Sequence, residues 1–156
     1  MYYLDSSALV KLYVREPGSR RLAAWVGVRA ETGVRSVAVS VSRLGFPETM
    51  SAITRRRNEG SLSPAEAMKL WNAVLSDFMS GAQTYVVIDP TETIVGRAAI
   101  LVATYGLRGY DAVHLASALR LQMDVSDQDE VVFVSADGRL NRAAAAERLS
   151  TADPTT

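Results

Sequence analysis

Two hydrophobic periods share this chain, and the switches between them mark out its elements. Tyr2 to Leu4 is a short strand-like run that ends at Asp5, with Ser6 and Ser7 available to cap a helix directly after it. A helical pattern over 8–14 stops before Glu16-Pro17-Gly18, and a second starts at Ser19 and runs through Leu22, Trp25 and Val26. Residues 34–41 alternate with β-branched side chains and read as a strand. Over 42–57 the period is helical, with Leu44, Met50 and Ile53 as core positions and Pro47 as an irregularity. Pro47 predicts either a kink or a helix that restarts with Pro47 as its first residue. Ser63-Pro64-Ala65-Glu66 is a capping box that opens a helix to about Met79. Residues 84–88 form a strand, and a helix from Thr91 to Tyr105 stops at Gly106. A helix over about 110–123, a loop over 124–130, a buried-type strand over 131–135 and a helix over 138–149 complete the pattern.

Strands separated by helical crossovers imply an α/β fold with a parallel sheet covered on both faces, a three-layer α/β/α sandwich. Four strands are clear; a fifth would have to come from the weak segment after Leu149. With no internal repeat and no dividing linker, the chain reads as one domain over 1–150 with a short tail over 151–156.

Composition narrows the chemistry. The 156 residues include no cysteine and one histidine, His114, so thiolate nucleophiles, cysteine-ligated metals and two-histidine metal motifs are excluded. Seventeen basic and seventeen acidic residues cancel, which excludes a broadly basic nucleic-acid footprint but not a local patch. Fifteen of the basic residues are Arg, whose planar fork suits phosphate and carboxylate; a GC-rich genome gives the same skew. The start lacks a basic leader and the longest apolar stretch is too short to span a bilayer, so a soluble, cytoplasmic protein is expected.

In open α/β sheets ligands lie beyond the carboxyl ends of the strands. Asp5 ends the first strand and Asp137 follows the last clear one, while Asp111 opens a helix and Glu48 lies in the helix after the second strand. Four carboxylates on one rim repel one another unless a cation joins them, and oxygen ligands without His or Cys point to Mg²⁺ or Mn²⁺. Each acid also has a structural reading: Asp5 and Asp137 as helix caps, Asp111 as a dipole partner, Glu48 on a solvated face.

Three segments carry a resemblance. Leu4-Asp5-Ser6-Ser7-Ala8, Gly109-Tyr110-Asp111-Ala112-Val113-His114 and Val134-Ser135-Ala136-Asp137-Gly138 are similar to motifs of PIN domains, above all the VapC-type toxin ribonucleases of bacterial toxin–antitoxin pairs. The resemblance implies a PIN-like sandwich, often dimeric, with catalytic acids at Asp5, Glu48, Asp111 and Asp137. It implies Mg²⁺ or Mn²⁺ anchored by Asp5, Asp111 and Asp137, cleavage of RNA to a 3′-hydroxyl and a 5′-phosphate, and a small antitoxin partner. Ser6 and Ser135 are expected beside the anchors, and Lys11, Arg108, Arg139 and Arg142 near the phosphates. His114, one turn beyond Asp111, reads as a supporting or packing residue and not as a catalyst. An antitoxin is expected to lie over the first two helices, at Leu9, Leu12, Leu22 and Trp25. Two other readings stay open: a non-catalytic RNA- or protein-binding module, and a Mg-dependent phosphohydrolase with Asp5 as nucleophile.

Overall fold

The structure, a computed structural model, describes residues 1–27, 37–79, 84–126 and 129–156. Five parallel strands form the central sheet: β1 (Tyr2–Leu4), β2 (Val39–Ser42), β3 (Val86–Ile88), β4 (Val132–Val134) and β5 (Ser150–Ala152), in the order β3-β2-β1-β4-β5. Between them lie α1 (Ser6–Leu9), a 3₁₀ turn (Val10–Leu12), α2 (Ser19–Trp25), α3 (Gly45–Asn58), α4 (Pro64–Met79), α5 (Glu92–Tyr105), α6 (Gly109–Asp124) and α7 (Gly138–Ala146).

Alternation along each strand divides the core. Tyr3 and Phe133 point to the face covered by α5, α6 and α7, where they meet Leu101, Leu115 and Leu140. Their neighbours Leu4 and Val134 point to the opposite face, against Leu9 of α1 and Leu22 of α2. This is the period-two geometry of a sheet buried on both sides. The hairpin of α3 and α4 adds a satellite cluster around Ile53 and Val74. Tyr3 and Phe133 are fully buried and stack with ring centroids 5.7 Å apart and planes 9° from parallel. Phe133→Ala should therefore cost about 3–5 kcal/mol of stability, measured as a lower urea midpoint.

Several predicted boundaries move. The choice between four and five strands resolves as five, because Ser150 and Thr151 pair with Val132 and Phe133; residues 151 and 152, placed in the tail by sequence, belong to the sheet. The helix over 8–14 begins instead at Ser6 and tightens into the 3₁₀ turn after Leu9. The strand over 34–41 is observed at Val39–Ser42; its residues 34–36 lie outside the described residues, as do 127 and 128 of the loop over 124–130. Pro47 neither kinks α3 nor begins it. It is the third residue of a helix that starts at Gly45, within the first turn, where a missing N–H breaks no intrahelical bond.

The local signals near the future site behave as their chemistry dictates. Ser63 and Glu66 close the capping box, with Ser63 N–H donating to Glu66 Oε2 at 2.8 Å and Glu66 N–H to Ser63 Oγ at 3.2 Å. Gly106 ends α5 at φ 62°, and an added Cβ would meet an Arg139 guanidinium nitrogen at 2.9 Å. The left-handed backbone is what favours glycine there, since the guanidinium end of Arg139 could move aside.

Candidate active site

The strand order reverses at β1 and β4, and the crevice beyond their carboxyl ends is the topological switch point of the sheet. Asp5 follows β1 and Asp137 follows β4. Because Leu4 is in register with Val134, the next residues, Asp5 and Ser135, stand side by side. Ser135 Oγ donates to Asp5 Oδ2 at 2.6 Å.

Asp5 is 4% exposed and also caps α1: Oδ1 accepts from Ala8 N–H at 2.9 Å and from Ser7 Oγ at 2.8 Å. Its capping role and its place on the rim thus coexist. Burial pushes its carboxyl above the usual aspartate range, against the opposing pull of His114, Ser135, Ala8 and Ser7. The two serines do more than solvate it. Ser135 Oγ accepts from Asp137 N–H and Ser7 Oγ from Ala136 N–H, each at 2.9 Å. They tie the corner after β1 to the corner after β4. Asn141 Nδ2 adds a bond to the Ser135 carbonyl at 2.8 Å.

Asp137 caps α7 through Oδ1, which accepts from Arg139 and Leu140 N–H at 2.8 and 3.2 Å. Its Oδ2 makes no hydrogen bond among the described residues. Asp111 lies in the first turn of α6, and its carboxyl is raised by burial and then by the negative charges of Asp137 and Asp5. Asp111 is thus close enough to both other aspartates to feel their charge.

Glu48 joins the site differently. It sits in the first turn of α3, and Oε2 accepts from the Ser6 hydroxyl and from His114 Nε2, the latter at 2.7 Å. Burial pushes its carboxyl up, but His114 and Ser6 outweigh it and hold Glu48 below the usual range. His114 is buried, with Nδ1 at 3.1 Å from the Tyr3 hydroxyl, which agrees with a supporting position.

The expected cations divide. Arg108 is the N-cap residue of α6 and its charge opposes the rise at Asp111; Arg142 lies beside Gly138, 3.6 Å from its added Cβ. Arg139 is drawn away from the rim to the Gly106 and Tyr105 carbonyls, capping α5. Lys11 is buried in an ion pair with Glu16 at 2.7 Å. It does line, with Ser6, Glu48, Arg55 and Tyr110, a cleft of about 640 Å³ that opens from the site between α1 and α3. Leu9 and Leu22 are fully buried against the sheet, so the first two helices do not present them as a groove.

Among the described residues, no three acidic or imidazole groups close into a ready-made metal shell. The donor chemistry nevertheless fits a hard cation that keeps much of its water. All the donors are carboxylate oxygens, and Asp111 is raised by its like-charged neighbours. Sequence reasoning missed Ser7 as a support for Asp5 and Tyr3 as the partner of His114. A serine two residues after a rim aspartate was a signal for the first; nothing local pointed to the second.

The PIN-domain family model matches residues 2–146. Ribonuclease VapC45 of Mycobacterium tuberculosis (strain CDC 1551 / Oshkosh) is 36% identical over 148 residues, spanning 92% of this chain and 89% of that protein. FitAcB from Neisseria gonorrhoeae shares the fold at a TM-score of 0.62 and 15% identity, over 99% of this chain and 98% of the other. A toxin–antitoxin complex from Klebsiella pneumoniae does so at 0.56 and 17%, over 88% and 87%. With the family model spanning nearly every residue and the aspartates gathered where the sheet order reverses, this chain belongs to the PIN-domain family.

Proposed function

We propose that this protein is a Mg²⁺- or Mn²⁺-dependent endoribonuclease, the toxin of a toxin–antitoxin pair. The observation that carries the reading is the convergence of Asp5, Asp111 and Asp137 at the switch point of the sheet, where the charges of Asp137 and Asp5 bear on Asp111. Burial and like charge both disfavour ionisation of Asp111, a cost that a bound cation would relieve. The 36% identity to a protein named a ribonuclease supplies the substrate class.

Asp5, Asp111 and Asp137 would hold the ion. When bound, it lowers the pKa of its water and neutralises charge on the phosphoryl oxygens. Glu48 uses Oε2 internally and has Oε1 left to orient the attacking water. Ser7 and Ser135 fix Asp5, while Arg108 and Arg142 supply positive charge beside the rim. RNA enters along the cleft between α1 and α3, past Arg55 and Tyr110. An Asp5 nucleophile, as a phosphohydrolase would use, is disfavoured: it would call for a second acid two residues later, and Ser7 stands there.

The Klebsiella pneumoniae complex supports an antitoxin partner, which would block the open cleft and not the buried Leu9 and Leu22. A homodimer would cover the exposed apolar Val95 and Val102 of α5, away from the cleft. Sedimentation without antitoxin tests it.

The deciding experiment is cleavage of a mixed RNA pool with Mg²⁺ or Mn²⁺, with EDTA and after metal is restored. Cleavage is expected only with metal, leaving 5′-phosphate ends. Equal cleavage in EDTA would overturn the metal-dependent reading.

A further inference from the structure

Hydrogen-bond accounting fixes the protonation pattern of the one imidazole in the chain. His114 is 2% exposed and both ring nitrogens are engaged. Nδ1 is 3.1 Å from Tyr3 Oη; Nε2 is 2.7 Å from Glu48 Oε2 and 2.8 Å from Ser6 Oγ. An ionised carboxylate only accepts, and the single Ser6 hydroxyl proton is given to Glu48 Oε2. A bare Nε2 would set its lone pair against those of two oxygens. Nε2 therefore carries a proton and donates it toward Glu48.

In the neutral ring this leaves Nδ1 as an acceptor. Its donor is the Tyr3 hydroxyl, 3.1 Å away. Ser117, the other neighbour of that hydroxyl, gives its own proton to the Val113 carbonyl at 2.8 Å. Tyr3 is fully buried and stacked on Phe133, so this donor is anchored in the core of the sheet.

We propose, on the ribonuclease reading, that Tyr3 and His114 are positioning residues for Glu48. The buried chain Tyr3–His114–Glu48 fixes the imidazole tautomer, pins Oε2, and leaves Oε1 as the oxygen that works on the attacking water. Without the Tyr3 hydroxyl, the Nδ1–H tautomer becomes accessible and turns the Nε2 lone pair on the Glu48 carboxylate. Glu48 then loses the donor that orients it. Partners that fix the tautomer of a metal-ligating histidine from behind commonly change activity by about 10–100-fold, and a loss at the lower end of that range is expected for an imidazole that acts one residue further back.

The test begins with a spectrum. Because the chain has one histidine, an imidazole ¹H–¹⁵N correlation of the full-length, metal-free protein reports on His114 alone. Recorded with pH raised until the ring signals stop moving, so that the neutral form is read, it should show a protonated Nε2 and an unprotonated Nδ1. Tyr3→Phe keeps the stacked ring and should shift the signals toward a mixture of tautomers. In RNA cleavage, Tyr3→Phe should lower kcat about ten-fold with little change in KM. His114→Gln supplies an N–H that needs no tautomer lock, so Tyr3→Phe should cost nothing further in that background.

A wild-type spectrum with the proton on Nδ1 overturns the proposal even if Tyr3→Phe fails to fold. So does an unchanged tautomer in Tyr3→Phe, or a kcat loss that is undiminished in the His114→Gln background. If the wild type cleaves no RNA, the ribonuclease reading falls by itself, and the spectrum still decides whether Tyr3 locks the ring.

Discussion

Asp5→Asn should reduce RNA cleavage at least about a thousand-fold while leaving the fold intact, because it removes one charge from the most enclosed position of the site. Asp5 is 4% exposed, with Ser135, Ser7 and Ala8 all donating to it. An amide has nearly the same shape, and its oxygen can still accept from Ala8 N–H and Ser7, so α1 keeps its cap. What changes is the other half of the side chain. An –NH₂ cannot accept from Ser135, and it offers a cation no lone pair. Ser135 must then redirect its hydroxyl proton and accept from the amide through the same oxygen that receives the Asp137 N–H, so the change reaches the second aspartate corner. Loss of charge and loss of alignment act in the same direction. The measurement is single-turnover cleavage at saturating Mg²⁺ or Mn²⁺, with circular dichroism as the control for folding. Activity within ten-fold of wild type would show that Asp5 is a cap and nothing more.

How much of this was legible in sequence depends on how local each signal is. Asp5 ends the first strand-like run and Asp137 lies two residues past the run that ends at Ser135, and register then sets Asp5 beside Ser135. The capping box at Ser63 and the stop at Gly106 are one-turn signals, and they hold because their partners are three or four residues away. Strand β5 was weak because Ser150-Thr151-Ala152 has no apolar period; pairing with β4 makes it a strand. Leu9 and Leu22 looked available for a partner because a helical stripe does not say what it packs on, and here the sheet takes both. The least legible feature is the support of Glu48. His114 lies 66 residues from Glu48 and 111 from Tyr3 in sequence, and only the fold brings the three together. Local pattern could set His114 inside α6, one turn from Asp111, but not name what it touches.

Asp111→Asn is the substitution for which stability and activity should move in opposite directions. Cleavage should fall by orders of magnitude, as for Asp5, if Asp111 holds the ion. In EDTA, however, the variant should melt at or above the wild type. Burial raises the Asp111 carboxyl, and the charges of Asp137 and Asp5 raise it further. A carboxyl whose folded pKa lies above its unfolded value gives its full contribution at pH below the unfolded value. That contribution is lost as pH rises through the folded pKa, because the native state must ionise against its neighbours. Wild-type stability without metal should therefore fall, relative to the variant, as pH rises through and beyond the ordinary aspartate range. Each kcal/mol relieved corresponds to about 2–4 °C in a domain of this size. Metal reverses the order. A cation that binds only the folded state raises stability by RT ln(1 + [L]/Kd), and the variant, lacking one anchor, should lose most of that gain. If Asp111 only favours the N-terminus of α6, Asn should be neutral or slightly destabilising and the metal shift unchanged. Thermal melts of both proteins across pH, with and without Mg²⁺ or Mn²⁺, separate the two cases, and an intact metal shift in the variant would remove Asp111 from the site.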